Sequence, residues 1–216
     1  MINEQLQADV VAELFWDPKV RIQRLAVAAD AGTVTLRGTV DTFRAKREAG
    51  KAAGRVYGVT QVHNELDVWL LDDSKRDNAE LRGDVLQALM LDGLIPTTVD
   101  ARARNGFVTL SGTADWHCQR DEAEVVAASV PGVTAVQNHI RLTPAPDTGD
   151  AKKDISEAFR RNASLDADRL SIDTTCYGRV ALTGTVSSWA EHDEAVAAAW
   201  SAPGITEVDD QILVAY

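Results

Sequence analysis

Three times along the chain an apolar stripe at helical spacing gives way to a strand-like alternation of apolar and polar positions. In the first pass Ile2, Leu6, Val10 and Leu14, with Val11 and Phe15 one step round, predict an amphipathic helix over Asn3 to Trp16. Pro18 ends it, because the residue before a proline is pushed out of the helical region. Leu25, Val27 and Ala29 then alternate toward a turn at Asp30-Ala31-Gly32, and Thr33 to Val40 returns, which predicts a β-hairpin. A second helix is predicted over Phe43 to Tyr57, with Ala45, Ala49, Ala52 and Val56 on its buried side and Gly58 as its stop. Val59 to Leu70 is the third strand, so the order is α-β-β-α-β.

The cycle recurs twice. Leu81, Val85, Leu89 and Met90 mark the next opening helix, and Asn105-Gly106 predicts a type I′ turn because both positions tolerate positive φ. Trp116 to Val130 forms a helix ended by Pro131-Gly132, and Val133 to Leu142 closes the unit. In the third pass Ile155 and Phe159 anchor a shorter helix near Lys152 to Asn162. Leu170, Ile172 and Thr174 lead to a turn at Cys176-Tyr177-Gly178, followed by Val180 to Val186, a helix over Trp189 to Trp200, and Ile205 to Val214. A strand-helix-strand connection of this length suits a parallel pair, and the handedness of such crossovers places the helices together. The expected fold is α+β: three tandem α-β-β-α-β modules over 1–71, 76–144 and 150–216, each a three-stranded mixed sheet covered on one face by two helices. Thr143 to Asp150, TPAPDTGD, reads as an exposed linker and makes the third module the more independent.

Glycines punctuate each cycle at fixed intervals. GTVTLRGTV, GFVTLSGTA and GRVALTGTV begin at Gly32, Gly106 and Gly178, which are 74 and 72 residues apart. GVTQVHNEL, GVTAVQNHI and GITEVDDQI begin at Gly58, Gly132 and Gly204, each 20 residues after Gly38, Gly112 and Gly184. All nine glycines are assigned a structural role: Gly32, Gly106 and Gly178 at hairpin turns and Gly58, Gly132 and Gly204 at helix ends, where other residues adopt the backbone only at a cost, and Gly38, Gly112 and Gly184 closing the strands. No copy shows a G-x-G-x-x-G or G-x-x-x-x-G-K-[ST] phosphate loop. An aromatic follows each first motif: Phe43 and Trp189 five residues after Gly38 and Gly184, and Trp116 four after Gly112.

In combination, G-x-V-x-L-x-G-T, the aromatic, and the later G-V/I-T-x-V-x-[ND]-x-[LI] resemble the BON domain (bacterial OsmY and nodulation), three copies end to end over nearly the whole chain. The resemblance implies two helices on a three-stranded sheet, a phospholipid-binding or osmotic-stress-linked envelope role, and no catalytic residues to carry over. Many such proteins are exported. The opening MINEQLQADVVAELFW lacks the basic start, apolar core and cleavage site of a signal peptide, and the longest apolar run, Ala195 to Trp200, is far below the roughly 18 residues that span a bilayer. The expected location is therefore the cytoplasm, with peripheral association at the inner membrane as its envelope-facing form.

Charge changes the picture by its distribution. Net charge is -11, but residues 1–71 carry 9 Lys/Arg and 9 Asp/Glu, residues 72–146 carry 7 and 11, and residues 147–216 carry 6 and 13. That gradient disfavours nucleic-acid binding, which rests on Lys and Arg neutralising phosphates. Arg44, Arg47, Lys51 and Arg55 are spaced to share one face of the predicted second helix, away from its alanines. They are read as a solvated face or as a docking site for an anionic phospholipid surface or an acidic protein partner. The matching helices of modules two and three carry acids instead: Asp121, Glu122 and Glu124, then Glu191, Asp193 and Glu194.

Other chemistry is sparse. His117-Cys118 and Glu191-His192-Asp193 hold ligand types without zinc spacing, and His63 and His139 lie elsewhere. Cys118 and Cys176 have no partner motif and are expected to be reduced, buried or half-buried thiols. No metal, cofactor or enzyme activity is expected. Trp69, Trp116, Trp189 and Trp200 are read as core-edge packing, and Trp16 with Phe15 as the best membrane-interface anchor. The leading expectation is a non-enzymatic adaptor contacting anionic phospholipid or envelope components. The alternative is a cytoplasmic protein-protein scaffold that self-associates, and a small-molecule binder is a third.

Overall fold

A computed structural model describes residues 3–20, 22–70, 76–143, 150–163, 165–175 and 178–215. The linker expected at Thr143 to Asp150 and the turn residues Cys176 and Tyr177 fall wholly or largely outside them. The elements are α1 (Asn3–Trp16), β1 (Ile22–Asp30), β2 (Thr33–Val40), α2 (Phe43–Gly54), β3 (Gln61–Val68), α3 (Asn78–Leu91), β4 (Asp100–Arg104), β5 (Phe107–Ala114), α4 (His117–Ser129), β6 (Ala135–Leu142), α5 (Ala151–Arg161), β7 (Leu170–Thr175), β8 (Arg179–Val186), α6 (Trp189–Trp200) and β9 (Glu207–Val214). The α-β-β-α-β order occurs three times. α2 ends at Gly54, short of the expected Tyr57, because the Arg55 N–H already donates back to carbonyls of the last turn.

Three three-stranded sheets form, ordered β1-β2-β3, β4-β5-β6 and β7-β8-β9. In the first and third, the middle strand pairs antiparallel with the strand before it and parallel with the strand after. In the second, β4 and β5 are antiparallel. There Thr134 N–H donates to Gly106 O and Thr143 N–H to Ala114 O, joining β5 and β6 start to start and end to end. The core of module 1 lies between one sheet face and its helices: Leu6, Val10 and Leu14 of α1, Ala45, Ala49, Ala52 and Ala53 of α2, and Val34, Leu36, Val40 and Leu66 of the sheet. Alanines on α2 let its backbone approach the strands closely. By compactness the chain divides into Met1–Gly112 with Asp121–Ile140, and Thr113–Arg120 with Arg141–Tyr216.

The glycine motifs tie each module together by contacts that recur. Thr60, Thr134 and Thr206 each donate their N–H to the carbonyl of the turn glycine, Gly32, Gly106 and Gly178, all at 2.8 Å. The [ND] position has an equally plain role. Asn64, Asn138 and Asp210 each accept through Oδ1 from the N–H two residues on, at Leu66, Ile140 and Ile212. This side-chain turn aims the buried Leu or Ile into the core. All nine motif glycines have positive φ, from +74° at Gly178 to +145° at Gly38.

Candidate functional site

Arg44, Arg47, Lys51 and Arg55 do not form one free face. Arg55 Nη2 lies 3.0 Å from Glu13 Oε1 and 2.7 Å from Asp17 Oδ2, stapling the end of α2 to α1. The Arg55 hydrogen bond, then the Lys19 N–H, hold the Asp17 carboxyl below its ordinary range. Arg47 Nη1 lies 2.9 Å from Glu124 Oε1 of α4, both side chains about three-quarters covered. That nitrogen makes no aligned hydrogen bond, so the pair is held by charge rather than by a directed N–H···O contact. Arg44 and Lys51 are exposed and carry no ion pair among the described residues.

Arg44 instead lines a shallow cleft of about 340 Å³ with Pro18, Lys19, Asp41, Thr42 and Ala45. Its geometry follows from the topology: the α1–β1 loop and the β2–α2 loop leave the same end of the sheet, where Ile22 pairs with Val40. Thr42 caps α2 by accepting the Ala45 N–H at 3.1 Å. Immediately before the cleft, Phe15 and Trp16 are 72% and 85% exposed. They are large apolar side chains at the end of a helix whose opposite stripe, Leu6, Val10 and Leu14, is fully buried. The sequence placed Phe15 one step round the apolar stripe, and the structure leaves it exposed beside Trp16. Lys19 was not singled out, since only the fold brings it beside Arg44.

Module 3 holds the residue that sequence reasoning misplaced. Glu191 is no part of an acidic surface: it is 9% exposed at a position where α2 carries Ala45. Its carboxylate accepts from Ser187 N–H at 2.7 Å, Ser187 Oγ at 2.8 Å and Asp166 N–H at 3.2 Å, while Ser188 caps the helix through the Glu191 N–H. Burial pushes its pKa up, but the Ser187 and Asp166 bonds outweigh burial and hold it below the ordinary value. Ser188-x-x-Glu191 is a capping-box spelling and could have signalled this. A group whose folded pKa is depressed contributes stability that is present above its unfolded pKa and lost as pH falls through the folded one. Glu191→Gln is therefore expected to destabilise module 3 by about 1–3 kcal/mol at pH 7, with the difference from wild type shrinking as pH falls below the ordinary glutamate range. Urea unfolding followed on resolved module 3 amide signals checks it.

His192 lies beside Glu191 but faces the sheet seam. Its Nε2 is 2.8 Å from Asp210 Oδ2 and its Nδ1 3.2 Å from Asp193 Oδ1, and Asp193 first, then Asp210, raises its pKa against the opposing effect of burial. Glu194 accepts from Asn162 Nδ2 at 3.0 Å. Trp189 packs edge-on to His192, and Trp200 stacks on His117 at 3.8 Å between centroids. Trp69 and Trp116 are exposed, against the core-edge expectation, as is Met90. Cys118 is an exposed free thiol rather than a buried one, and Cys176 lies outside the described residues. Among the described residues, no group of three or more His, Cys, Asp or Glu is arranged around a metal position, and no helix is long and apolar enough to cross a membrane.

Three α-β-β-α-β modules with paired glycine motifs define a class of small tandem α+β modules. The chain belongs to the BON domain family, whose profile matches residues 3–68, 77–144 and 147–216. It is 31% identical over 149 residues to "Osmotically-inducible protein Y" of Escherichia coli (strain K12), covering 65% of this chain and 73% of that protein. Two solved structures of CdsD, a structural protein of the type III secretion system of Chlamydia trachomatis, are more distant. The C-terminal domain is 14% identical with a TM-score of 0.27, over 100% of both chains. The second is 16% identical with a TM-score of 0.27, over 98% of this chain and 92% of that one. Likeness at that level has no bearing on function.

Proposed function

We propose that the chain is a non-enzymatic, stress-associated adaptor that contacts an anionic phospholipid surface through module 1, at the end of α1 and the start of α2. The osmotic induction in the name of the Escherichia coli relative supports the stress association. The observation that carries the membrane reading is the exposure of Phe15 and Trp16 directly beside the cleft lined by Lys19 and Arg44. Aromatic side chains with one apolar and one wet side suit the headgroup level, and each nearby basic residue adds about 1 kcal/mol at an anionic surface. Of the four-residue stripe, Arg44 and Lys51 remain available to this contact, while Arg47 and Arg55 serve internal ion pairs. The rest of the chain is acidic, so approach depends on this one end and is peripheral.

Co-sedimentation with vesicles tests it. Wild type is expected to pellet with mixed phosphatidylglycerol and phosphatidylcholine vesicles at low salt, to pellet less at moderate salt, and to stay in solution with phosphatidylcholine alone. Phe15→Ala with Trp16→Ala, and separately Lys19→Glu with Arg44→Glu, should each abolish pelleting. Absence of pelleting by wild type, or pelleting that survives both double variants, contradicts the reading. A second reading, a protein-protein scaffold, is supported by the Arg47–Glu124 pair, in which a basic residue of this helix face already holds a carboxylate of the same chain.

A further inference from the structure

Within module 2 the charges are segregated in a way its net of -4 conceals. Glu80 and Asp84 lie on α3, and Asp121, Glu122 and Glu124 on α4. These helices cover the sheet face that buries Ala101, Val108, Leu110 and Ile140. The opposite face, uncovered, presents Arg102 and Arg104 of β4 and His139 of β6, all exposed. Arg102 and Arg104 form no ion pair among the described residues, although the field of Arg102 reaches Asp100. Asp100 is itself engaged by Arg82 and by the Ala101 N–H. Phe107, paired in register with Arg104, adds an aromatic ring 43% exposed to the same face.

The uncovered face of module 3 has the opposite character. Asp173 and Asp209 flank the small Ala181 across the three strands. Asp209 accepts from Gln211 and lies in the field of Arg179, and Glu207 is paired by Arg179. Leu213, in register with Thr185, is 69% exposed on that face. Module 1 matches neither surface: its uncovered face exposes Arg24 and Asp67, of opposite sign, beside the Arg37–Glu65 pair at 2.6 Å, a pair that Arg179 and Glu207 repeat in module 3.

We propose that the uncovered sheet face of module 2, through Arg102, Arg104 and Phe107, docks the uncovered sheet face of module 3 of a second copy, through Asp173, Asp209 and Leu213. Each surface carries a surplus of one sign, its opposite charges Asp100 and Arg179 being already paired, beside one exposed large apolar side chain, so the pairing satisfies charge and covers apolar area together. The contact joins two different patches and is head-to-tail, which gives closed rings or open chains rather than an isologous dimer. The net charge of -11 opposes it at long range. Association should therefore be favoured at moderate salt, where that repulsion is screened, and weakened at high salt, where the local pairs are screened as well. These residues are separate from the phospholipid-contact end of module 1, so either proposal can fail alone.

A charge-swap series on the full chain tests it by sedimentation velocity over a range of concentrations. Wild type is expected to show reversible, concentration-dependent assembly. Arg102→Glu with Arg104→Glu should weaken self-association by about tenfold or more, as should Asp173→Lys with Asp209→Lys. Mixing the two swapped proteins should restore association, because each regains an opposite partner face. Circular dichroism matching wild type removes misfolding as the cause of either loss. A wild type that stays monomeric at every salt, swapped proteins that assemble as wild type does, or a mixture that does not recover overturns the proposal. So does a wild type that stays monomeric while retaining a single-stranded oligonucleotide or phosphatidylglycerol vesicles through Arg102 and Arg104.

Discussion

Gly38→Ala is expected to cost module 1 about 3–5 kcal/mol, enough to leave it largely unfolded in a chain whose other modules remain folded. At Gly38 φ is +145°, and a Cβ placed there would lie 1.8 Å from Arg24 O and 3.3 Å from Leu25 Cα. These are backbone atoms of the neighbouring strand and cannot rotate aside. The register of β1 shifts at this point, between Ile22 and Arg24, so the strand has already bent around the glycine. Gly112 and Gly184 repeat the contact, with backbone oxygens of Thr98 and Arg169 at 2.3 and 2.2 Å. Gly83, inside α3 with nothing within 4 Å of its Cβ position, is the control. Gly83→Ala should stabilise module 2 by about 1 kcal/mol through helix propensity alone. Amide signals lost from one module only, set beside a raised urea midpoint in another, would show both effects.

Phe159→Ala is expected to be nearly as damaging to module 3. Phe159 is 1% exposed and is the largest fully buried side chain among the described residues. α5 buries only Ile155 and Phe159, whereas α1 and α3 each bury three residues. Truncating a buried phenylalanine costs about 3–5 kcal/mol, and a domain of this size has about 3–10 kcal/mol in all. The helix would then be held chiefly by Ile155. Native-state hydrogen exchange should show α5 amides exchanging by local opening in this variant, with modules 1 and 2 unchanged. Phe159→Leu, which keeps most of the volume, should lose about 1 kcal/mol and leave that protection pattern intact.

The fold was legible because its determinants are local and repeated. Alternation in β2, β5 and β8, alanines at helical spacing in α2, α4 and α6, and glycines at invariant intervals each specify an element by themselves. Three copies of every signal make the reading redundant. Asn105-Gly106 announced its turn, and both residues have positive φ. The equivalent turn at Asp30-Ala31-Gly32 was read from its glycine and the flanking alternation, while the positive φ of Ala31, +46°, was not, because alanine has no preference for that region.

The candidate site was legible only in part, for a physical reason. Helical spacing places Arg44, Arg47, Lys51 and Arg55 on one helix face but says nothing of what lies opposite. Arg47 and Arg55 are taken up by Glu124 of α4 and by Glu13 of α1 with Asp17 just past it, all distant in sequence. Glu191 shows the converse. As one acid among several it reads as surface, yet a core position that is alanine in module 1 is filled by a carboxylate wherever three donors converge on it. The uncovered sheet faces were illegible as charge patches, because net charge per module adds residues from opposite sides of each sheet.

The central claim is that the end of α1 and the start of α2 form the surface this protein presents to its target. Hydrogen exchange on the full chain, with and without phosphatidylglycerol vesicles, tests it most directly. Protection confined to the segments around Phe15 to Lys19 and Thr42 to Lys46 is the predicted result. Protection concentrated in module 3 or on the β4-β5-β6 sheet, or none anywhere, would contradict it.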